Sequence, residues 1–142
     1  MEKQNKKSEP SFYVNFKKVY ARNIDSNISL LNFLRHNCKF TGTKEGCSEG
    51  DCGACSVLIF DEKGSLAPVN SCILKVGQIL DKNIVTIEGA SKLSSAKPLI
   101  EALNSKAASQ CGFCTPGFVM AALALKEKHK SPSESVIHDS LS

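Results

Sequence analysis

The stretch that decides the fold covers residues 42–55 and reads Gly42-Thr43-Lys44-Glu45-Gly46-Cys47-Ser48-Glu49-Gly50-Asp51-Cys52-Gly53-Ala54-Cys55. Its three cysteines follow a C-x4-C-x2-C spacing, and Cys72 comes later, after a predicted strand, turn and strand. Gly46, Gly50 and Gly53 allow the backbone to turn tightly and to pass close to a bound group. We therefore interpret these residues as a loop that wraps around a ligand held by thiolates, and we call them the cluster loop.

The spacing of these cysteines is that of a plant-type [2Fe-2S] site, in which one loop gives three thiolates and a distant residue gives the fourth. Two irons need four thiolates, and the sequence supplies Cys47, Cys52, Cys55 and Cys72. Backbone N–H groups of the glycine-rich loop can point at the sulfurs and stabilise their negative charge. The sequence therefore predicts one complete [2Fe-2S] site.

Two other uses of the cysteines must be weighed. A structural zinc site could combine Cys52 and Cys55 with the second C-x2-C pair, Cys111 and Cys114. That set would leave Cys47 and Cys72 without a role and the glycines unexplained. Disulfides are less favoured still, because nothing marks the chain as secreted.

Composition limits the remaining classes. The chain has 142 residues, enough for one ordinary domain or two small ones, and a net charge of +4. Lys3, Lys6 and Lys7 lie in the first ten residues, which indicates a solvated tail and not a nucleic-acid-binding face. The longest apolar run, residues 118–125, is too short to span a membrane. We predict a cytoplasmic chain whose seven cysteines are reduced and serve metal or redox chemistry, without nucleic acid or membrane as partner.

The first part of the chain has the pattern of an α+β domain. Residues 1–11 are predicted to be a disordered tail, and residues 12–90 form the first domain. The elements expected in that domain are a hairpin over residues 12–16 and 19–22, a short helix after Ser29 with Leu30, Leu31 and Leu34 on one face, and strands at 56–60, 66–69 and 84–87. Two hairpins and a helix over one mixed sheet make a β-grasp.

From residue 91 to residue 142 the sequence is rich in alanine, leucine and helix-start signals, so a second, all-helical domain is predicted. One helix is expected over residues 98–108. Thr115 should cap another that begins at Pro116, ends near residue 129 and is buried in a bundle. Ser131 should cap a third, which begins at Pro132.

Two further cysteine features lie outside the first site. Cys111 and Cys114 directly precede the helix of Pro116, where the positive end of the helix dipole stabilises thiolates. A lone C-x2-C is a weak signal, and it also occurs in redox-active pairs. Cys38 is interpreted as a small core residue and not as a ligand.

Residues 42–55, Val69-Asn70-Ser71-Cys72 and residues 109–118 together resemble the iron–sulfur part of the xanthine dehydrogenase family of molybdenum hydroxylases. The sequence of the cluster loop is most similar to that of the small subunit of bacterial xanthine dehydrogenases. The resemblance implies a plant-type ferredoxin domain followed by a helical [2Fe-2S] domain, with an oxidoreductase function in purine catabolism. It also implies two partners, a molybdopterin-binding large subunit and a FAD domain or subunit, between which this chain relays electrons.

The resemblance also implies roles for individual residues. The ligands of the first cluster are Cys47, Cys52, Cys55 and Cys72, and half of the ligands of a second cluster are Cys111 and Cys114. Gln110 occupies the position whose relatives touch the pterin. No residue corresponds to a catalytic group of the family, so the chain is expected to carry electron-transfer sites and no substrate site.

One feature departs from the family pattern. In relatives the helix that begins here at Pro132 leads into a C-x-C pair that completes the second cluster, whereas this chain stops at Ser142. That ending indicates a truncated reading frame, one piece of a split gene, or an engineered fragment. Two functions remain as alternatives to the molybdenum hydroxylase subunit, namely an autonomous single-cluster ferredoxin and a zinc-stabilised interaction module.

Overall fold

The structure is a computed structural model, and it describes residues 9–60 and 64–141. It begins with a hairpin of β1 (Ser11–Val14) and β2 (Lys17–Tyr20), which pair antiparallel. Asn15 and Phe16 form the two-residue turn, with φ angles of 50° and 68°. Positive φ at both positions gives the turn a twist that matches the strands. The predicted hairpin is confirmed, with bounds shifted by one or two residues.

The predicted tail is partly corrected. Residues 1–8 lie outside the described residues, but Ser11 already belongs to β1. The Ser11 carbonyl oxygen accepts a hydrogen bond from the Asp81 N–H at 2.8 Å, and Glu9 forms an ion pair with Arg22 at 3.0 Å. Among the described residues, regular structure therefore already includes Ser11, before residue 12.

One mixed sheet contains all five strands of the described residues, in the order β2-β1-β5-β3-β4. The other three are β3 (Ser56–Phe60), β4 (Leu66–Asn70) and β5 (Asn83–Val85). β5 lies between β1, to which it is parallel, and β3, to which it is antiparallel. The mixed sheet confirms the predicted α+β class. Residues 61–63 of the predicted turn between β3 and β4 lie outside the described residues.

The last strand ends earlier than predicted. Residues 84–87 were expected to form it, but the strand ends at Val85 and the short helix α2 (Ile87–Ala90) begins after Thr86. The backbone N–H of Thr86 donates to the side-chain oxygen of Asn15 at 2.8 Å. This side-chain partner replaces a strand partner, so the sheet pairing stops at Val85.

The first hydrophobic core lies on the face of the sheet that is covered by α1 (Leu30–Asn32), which continues as a π-helical turn over Phe33–Asn37. The Ser29 hydroxyl accepts the Asn32 N–H at 3.1 Å, as the predicted cap requires. The predicted helix face is buried, and Leu30 and Leu34 pack into the core with Phe12, Val57 and Ile84.

The second core lies on the opposite face, because alternate residues of a strand point to opposite sides of a sheet. Leu58 and Val85 pack there against α2 and α4 (Thr115–Lys128). The helix α3 (Lys97–Ser105) contributes partly buried residues, and α5 (Glu134–Leu141) packs against α4. The helix α4 was predicted to be buried in a helical bundle, but much of its apolar surface is buried against the sheet.

Two predicted helix caps are wrong by one or two positions. α4 begins at Thr115 itself, with Cys114 at the N-cap position, and the Thr115 hydroxyl lies 2.6 Å from that of Ser109. α5 begins at Glu134 and not at Pro132. The Ser133 hydroxyl accepts the Val136 N–H at 3.4 Å, so Ser133 takes the role predicted for Ser131. Within the described residues, no helix has the length and apolar character needed to cross a bilayer.

Candidate metal centre

The cluster loop turns its backbone N–H groups towards cysteine sulfurs. The Sγ of Cys47 accepts hydrogen bonds from the N–H groups of Asp51 and Cys52 at 3.3 Å and of Glu49 at 3.5 Å. In return, the Cys47 N–H donates to the Sγ of Cys52 at 3.4 Å. Positive φ angles at Ser48 and Gly50 bend the backbone into this arrangement. Backbone N–H groups of one loop therefore donate to the sulfurs of both Cys47 and Cys52.

These donors favour the thiolate form of Cys47. The N–H groups of Cys52, Glu49 and Asp51 lower the pKa of the Cys47 thiol from 9.0 to about 7. Hydrogen bonds to the charged form of a group stabilise that form. Because the thiolate is the form of cysteine that binds metals, Cys47 is prepared for ligation near neutral pH.

Cys55 and Cys72 form a second, more buried pair. Ser71 is fully buried, and both its N–H and its hydroxyl donate to the Cys55 carbonyl oxygen, at 3.3 Å and 2.7 Å. This contact fixes Cys72 beside Cys55. Burial, followed by the neighbouring Cys55 thiol, raises the pKa of Cys72 to about 11. The two cysteines are therefore neighbours, although 17 positions separate them in the sequence.

Two polar side chains that sequence reasoning missed hold the cluster loop in place. The side-chain amide of Asn70 donates to the Gly50 carbonyl oxygen at 2.6 Å and ties the loop to the end of β4. The Nη1 of Arg35 donates to the carbonyl oxygens of Thr41 at 3.1 Å and Thr43 at 2.8 Å. Asn70 could have been suspected from its place two residues before Cys72, but Arg35 carries no such signal.

The donor set fits a two-iron cluster. Cys47 pairs with Cys52, and Cys55 pairs with Cys72, which gives two thiolates for each of two irons. Among residues 9–60 and 64–141, no three or more His, Cys, Asp or Glu side chains gather closely enough to hold a single metal ion. The zinc alternative would leave Cys72 without a role, although Cys72 is the neighbour of Cys55.

The second cysteine pair, Cys111 and Cys114, lies in a different environment. Both residues are exposed, and Gly112 between them has a φ of +82°. Cys114 lines a cavity of about 480 Å³ together with Cys52 of the cluster loop and Leu141 at the end of α5. Cys114 therefore faces both the cluster loop and the last helix.

Direct packing joins the second pair to the cluster loop. A Cβ on Gly117 would overlap the Gly53 carbonyl oxygen, so only glycine lets α4 approach the loop this closely. A Cβ on Gly46 would lie 3.7 Å from the ring of Phe113. The two candidate sites are consequently neighbours within one packed structure.

Two other residues singled out in the sequence lie at the periphery. Gln110 is exposed beside Cys111. Cys38 lies against the first core, and burial raises the pKa of its thiol. Its packing agrees with the interpretation of Cys38 as a core residue.

Comparisons with known proteins agree with an iron–sulfur role. The [2Fe-2S] binding domain family matches residues 86–142, the part of the chain that contains Cys111 and Cys114. Aldehyde oxidase 1 of Rattus norvegicus is 39% identical over 136 residues, covering 92% of this chain and 10% of the relative. Aldehyde oxidase of Homo sapiens is 36% identical over 140 residues, covering 94% of this chain and 10% of the relative. The chain thus spans about a tenth of the length of these curated relatives.

Solved structures show the same likeness in three dimensions. Aldehyde oxidoreductase from Desulfovibrio gigas superposes with a TM-score of 0.79 at 30% identity, over 92% of this chain and 14% of the other. Quinoline 2-oxidoreductase from Pseudomonas putida 86 superposes with a TM-score of 0.73 at 29% identity, over 94% of this chain and 80% of the other.

The matched [2Fe-2S] binding domain defines an iron–sulfur protein. Within that class, the chain corresponds over nearly its whole length to the iron–sulfur part of molybdenum hydroxylases. The family predicted from the sequence is confirmed. These relatives are aldehyde oxidases and oxidoreductases, so the narrower likeness to xanthine dehydrogenase stays a prediction.

Proposed function

We propose that the chain is an electron-transfer part of a molybdenum hydroxylase and relays electrons from a molybdopterin site towards FAD and NAD. The observation that carries this proposal is the packing of the first turn of α4, which directly follows the second cysteine pair, onto the cluster loop through Gly117 and Gly53. Two iron–sulfur sites side by side suit a relay, since electron transfer weakens steeply with distance.

In this proposal Cys47 and Cys52 hold one iron of a plant-type [2Fe-2S] cluster, and Cys55 and Cys72 hold the other. The cluster would supply one-electron redox chemistry. The N–H groups directed at the Cys47 sulfur stabilise negative charge there, and such hydrogen bonds tune the reduction potential. Ser71 keeps Cys72 beside Cys55, and Asn70 fixes the loop to β4.

We further propose that Cys111 and Cys114 supply two ligands of a second [2Fe-2S] cluster. Four ligands are needed. Cys38 is the one cysteine in the sequence outside the two sets, and it packs against the first core on the other side of the sheet. The remaining ligands would therefore enter through the cavity between Cys114 and the end of α5 at Leu141.

The domain division and the assembly are proposed on the same grounds. Residues 12–90 form a β-grasp ferredoxin-type domain, supported by the mixed sheet with α1 on one face. Residues 91–142 form the helical [2Fe-2S] domain. A molybdopterin-binding large subunit and a FAD domain are the proposed partners, with Gln110 contacting the pterin. A purine substrate completes the proposal and is supported by the sequence of the cluster loop. A cytoplasmic location is also proposed, supported by the seven unpaired cysteines.

The autonomous ferredoxin is the less favoured function. A single-cluster carrier has no need of a helical half packed against its cluster loop. Here α4 shares the second core with the sheet, and its first turn touches the loop. The helical half is therefore an integral part of the site.

Electron paramagnetic resonance (EPR) of the dithionite-reduced protein tests the ligand set. The reduced protein should show one rhombic [2Fe-2S] signal. Cys52→Ser should abolish that signal, because it removes a proposed ligand. Cys38→Ser is the matched control and should leave the signal intact, because Cys38 belongs to the core. Loss of the signal in Cys38→Ser would show that the ligand set is wrong.

A further inference from the structure

The short helix α2 holds the beginning of the cluster loop through one carboxylate. Glu88 lies in α2, and its Oε1 accepts the backbone N–H of Gly42, the first loop residue, at 2.7 Å. Its Oε2 accepts the hydroxyl of Thr86 at 2.6 Å. Because both oxygens have donors, the carboxylate is fixed in one position.

The same network reaches the hairpin of β1 and β2. Thr86 is fully buried, and its N–H donates to the side-chain oxygen of Asn15 at 2.8 Å. The side-chain amide of Asn15 donates in turn to the Thr86 hydroxyl at 2.9 Å. Asn15 lies in the turn of the hairpin. A hairpin turn, the end of β5 and the beginning of the cluster loop are therefore joined by hydrogen bonds.

Two glycines allow the cluster loop, α2 and the hairpin turn to lie this close together. A Cβ on Gly42 would overlap the side chain of Ile87 and lie 2.8 Å from Oε1 of Glu88. A Cβ on Gly89 would overlap the side chain of Asn15. Neither glycine has a left-handed backbone conformation, so both are needed for space and not for a turn.

We propose that Glu88 is a positioning residue for the plant-type cluster, through which the short helix α2 sets the position of the cluster loop. The loop carries the N–H groups that donate to the Cys47 sulfur. Hydrogen bonds to cluster sulfurs tune the reduction potential, so a shift of the loop changes that potential. This inference rests on the proposed function, because it requires a cluster at Cys47.

Two conservative variants separate the contact from the charge. Glu88→Asp keeps the negative charge but shortens the side chain, so it cannot reach Gly42 and Thr86 together. Glu88→Gln removes the charge but keeps an oxygen that can accept the Gly42 N–H. Its amide can then donate to Thr86, whose hydroxyl can turn to Asn15, 3.4 Å away. Glu101→Asp is the control, because Glu101 is an exposed glutamate of α3.

The 142-residue chain with its cluster is titrated by EPR-monitored redox potentiometry, and iron release to a chelator is timed. Glu88→Asp should lower the midpoint potential and release iron roughly tenfold faster, the expected effect of losing a hydrogen bond to a charged group. Glu88→Gln and Glu101→Asp should match the wild type. Gly42→Ala, whose Cβ would press on both Ile87 and Glu88, should also lower the midpoint potential.

Three outcomes have distinct meanings. A wild-type potential in Glu88→Asp would overturn the positioning role, because the contact would then be without effect on the cluster. An equal shift in Glu88→Gln and Glu88→Asp would also overturn it. A wild-type chain that binds no [2Fe-2S] cluster would refute the proposed function instead.

Discussion

The chain contains the same local motif twice, with different consequences. The first C-x2-C, Cys52 and Cys55, lies in a loop whose amides face sulfur, and its two members belong to different thiolate pairs. The second, Cys111 and Cys114, is exposed at the start of α4. The comparison shows that a C-x2-C is not a site by itself. In the proposed function the first site is completed by Cys72, which Ser71 holds beside Cys55.

Thiol alkylation in the cluster-free chain should reveal a contrast inside the first site. The pKa of Cys47 is lowered to about 7, so its thiolate is present above that pH and is lost as the pH falls through it. The pKa of Cys72 is raised to about 11, so it stays protonated at neutral pH. Allowing for the weaker nucleophilicity of a low-pKa thiolate, Cys47 should react with iodoacetamide at pH 7 roughly fifty- to hundredfold faster.

Mass spectrometry of labelled peptides gives both rates in one sample. The same chain in denaturant is the control, and there Cys47 and Cys72 should react alike. Equal rates in the folded chain would contradict the arrangement of amide donors around the Cys47 sulfur.

The contact between the two regions is tested by Gly117→Ala. Alanine alone would favour the helix by about 1 kcal/mol. Here its Cβ overlaps the Gly53 carbonyl oxygen, and overpacking of this kind costs about 1–3 kcal/mol. The free energy of unfolding in urea should therefore fall. Glu127→Ala in the same helix is exposed and should change it by less than about 0.5 kcal/mol. A more stable Gly117→Ala chain would contradict the close packing.

The two regions should also differ in how much exposed apolar surface they offer for association. Phe118 and Ile137 are each 40% exposed on the helical half and line one groove. Exposed apolar patches mark partner surfaces, so the isolated chain should self-associate and bind a hydrophobic dye. Changing both residues to serine should reduce the dye signal, whereas Tyr20→Ser should not, although Tyr20 of β2 is 56% exposed. A monodisperse chain without dye binding would contradict the prediction.

Features encoded in short stretches were predictable from the sequence. The spacing of Cys47, Cys52 and Cys55 predicted the loop, and the pattern of residues 56–60 predicted β3 with its observed bounds. Ser29 was recognised as a cap because an N-cap acts within one turn of its helix. Local chemistry is sufficient in these cases.

Features that depend on distant residues were not predictable. Thr86 leaves the sheet because it bonds to Asn15, which is 71 positions away in the sequence. Glu88 reaches Gly42 across 46 positions. The burial of α4 could be foreseen from its apolar composition, but its partner could not, because a helix that is apolar on most sides does not indicate which side meets a sheet.

The central claim is that residues 1–142 contain one complete and one incomplete iron–sulfur site. Iron and acid-labile sulfide analysis of the reconstituted monomeric chain tests it directly. We expect about two irons per chain, the content of one [2Fe-2S] cluster. A version extended through a C-x-C segment should reach about four irons and show a second EPR species. Four irons in the unextended monomer would contradict the account, because Cys111 and Cys114 would then have partners that the proposal lacks.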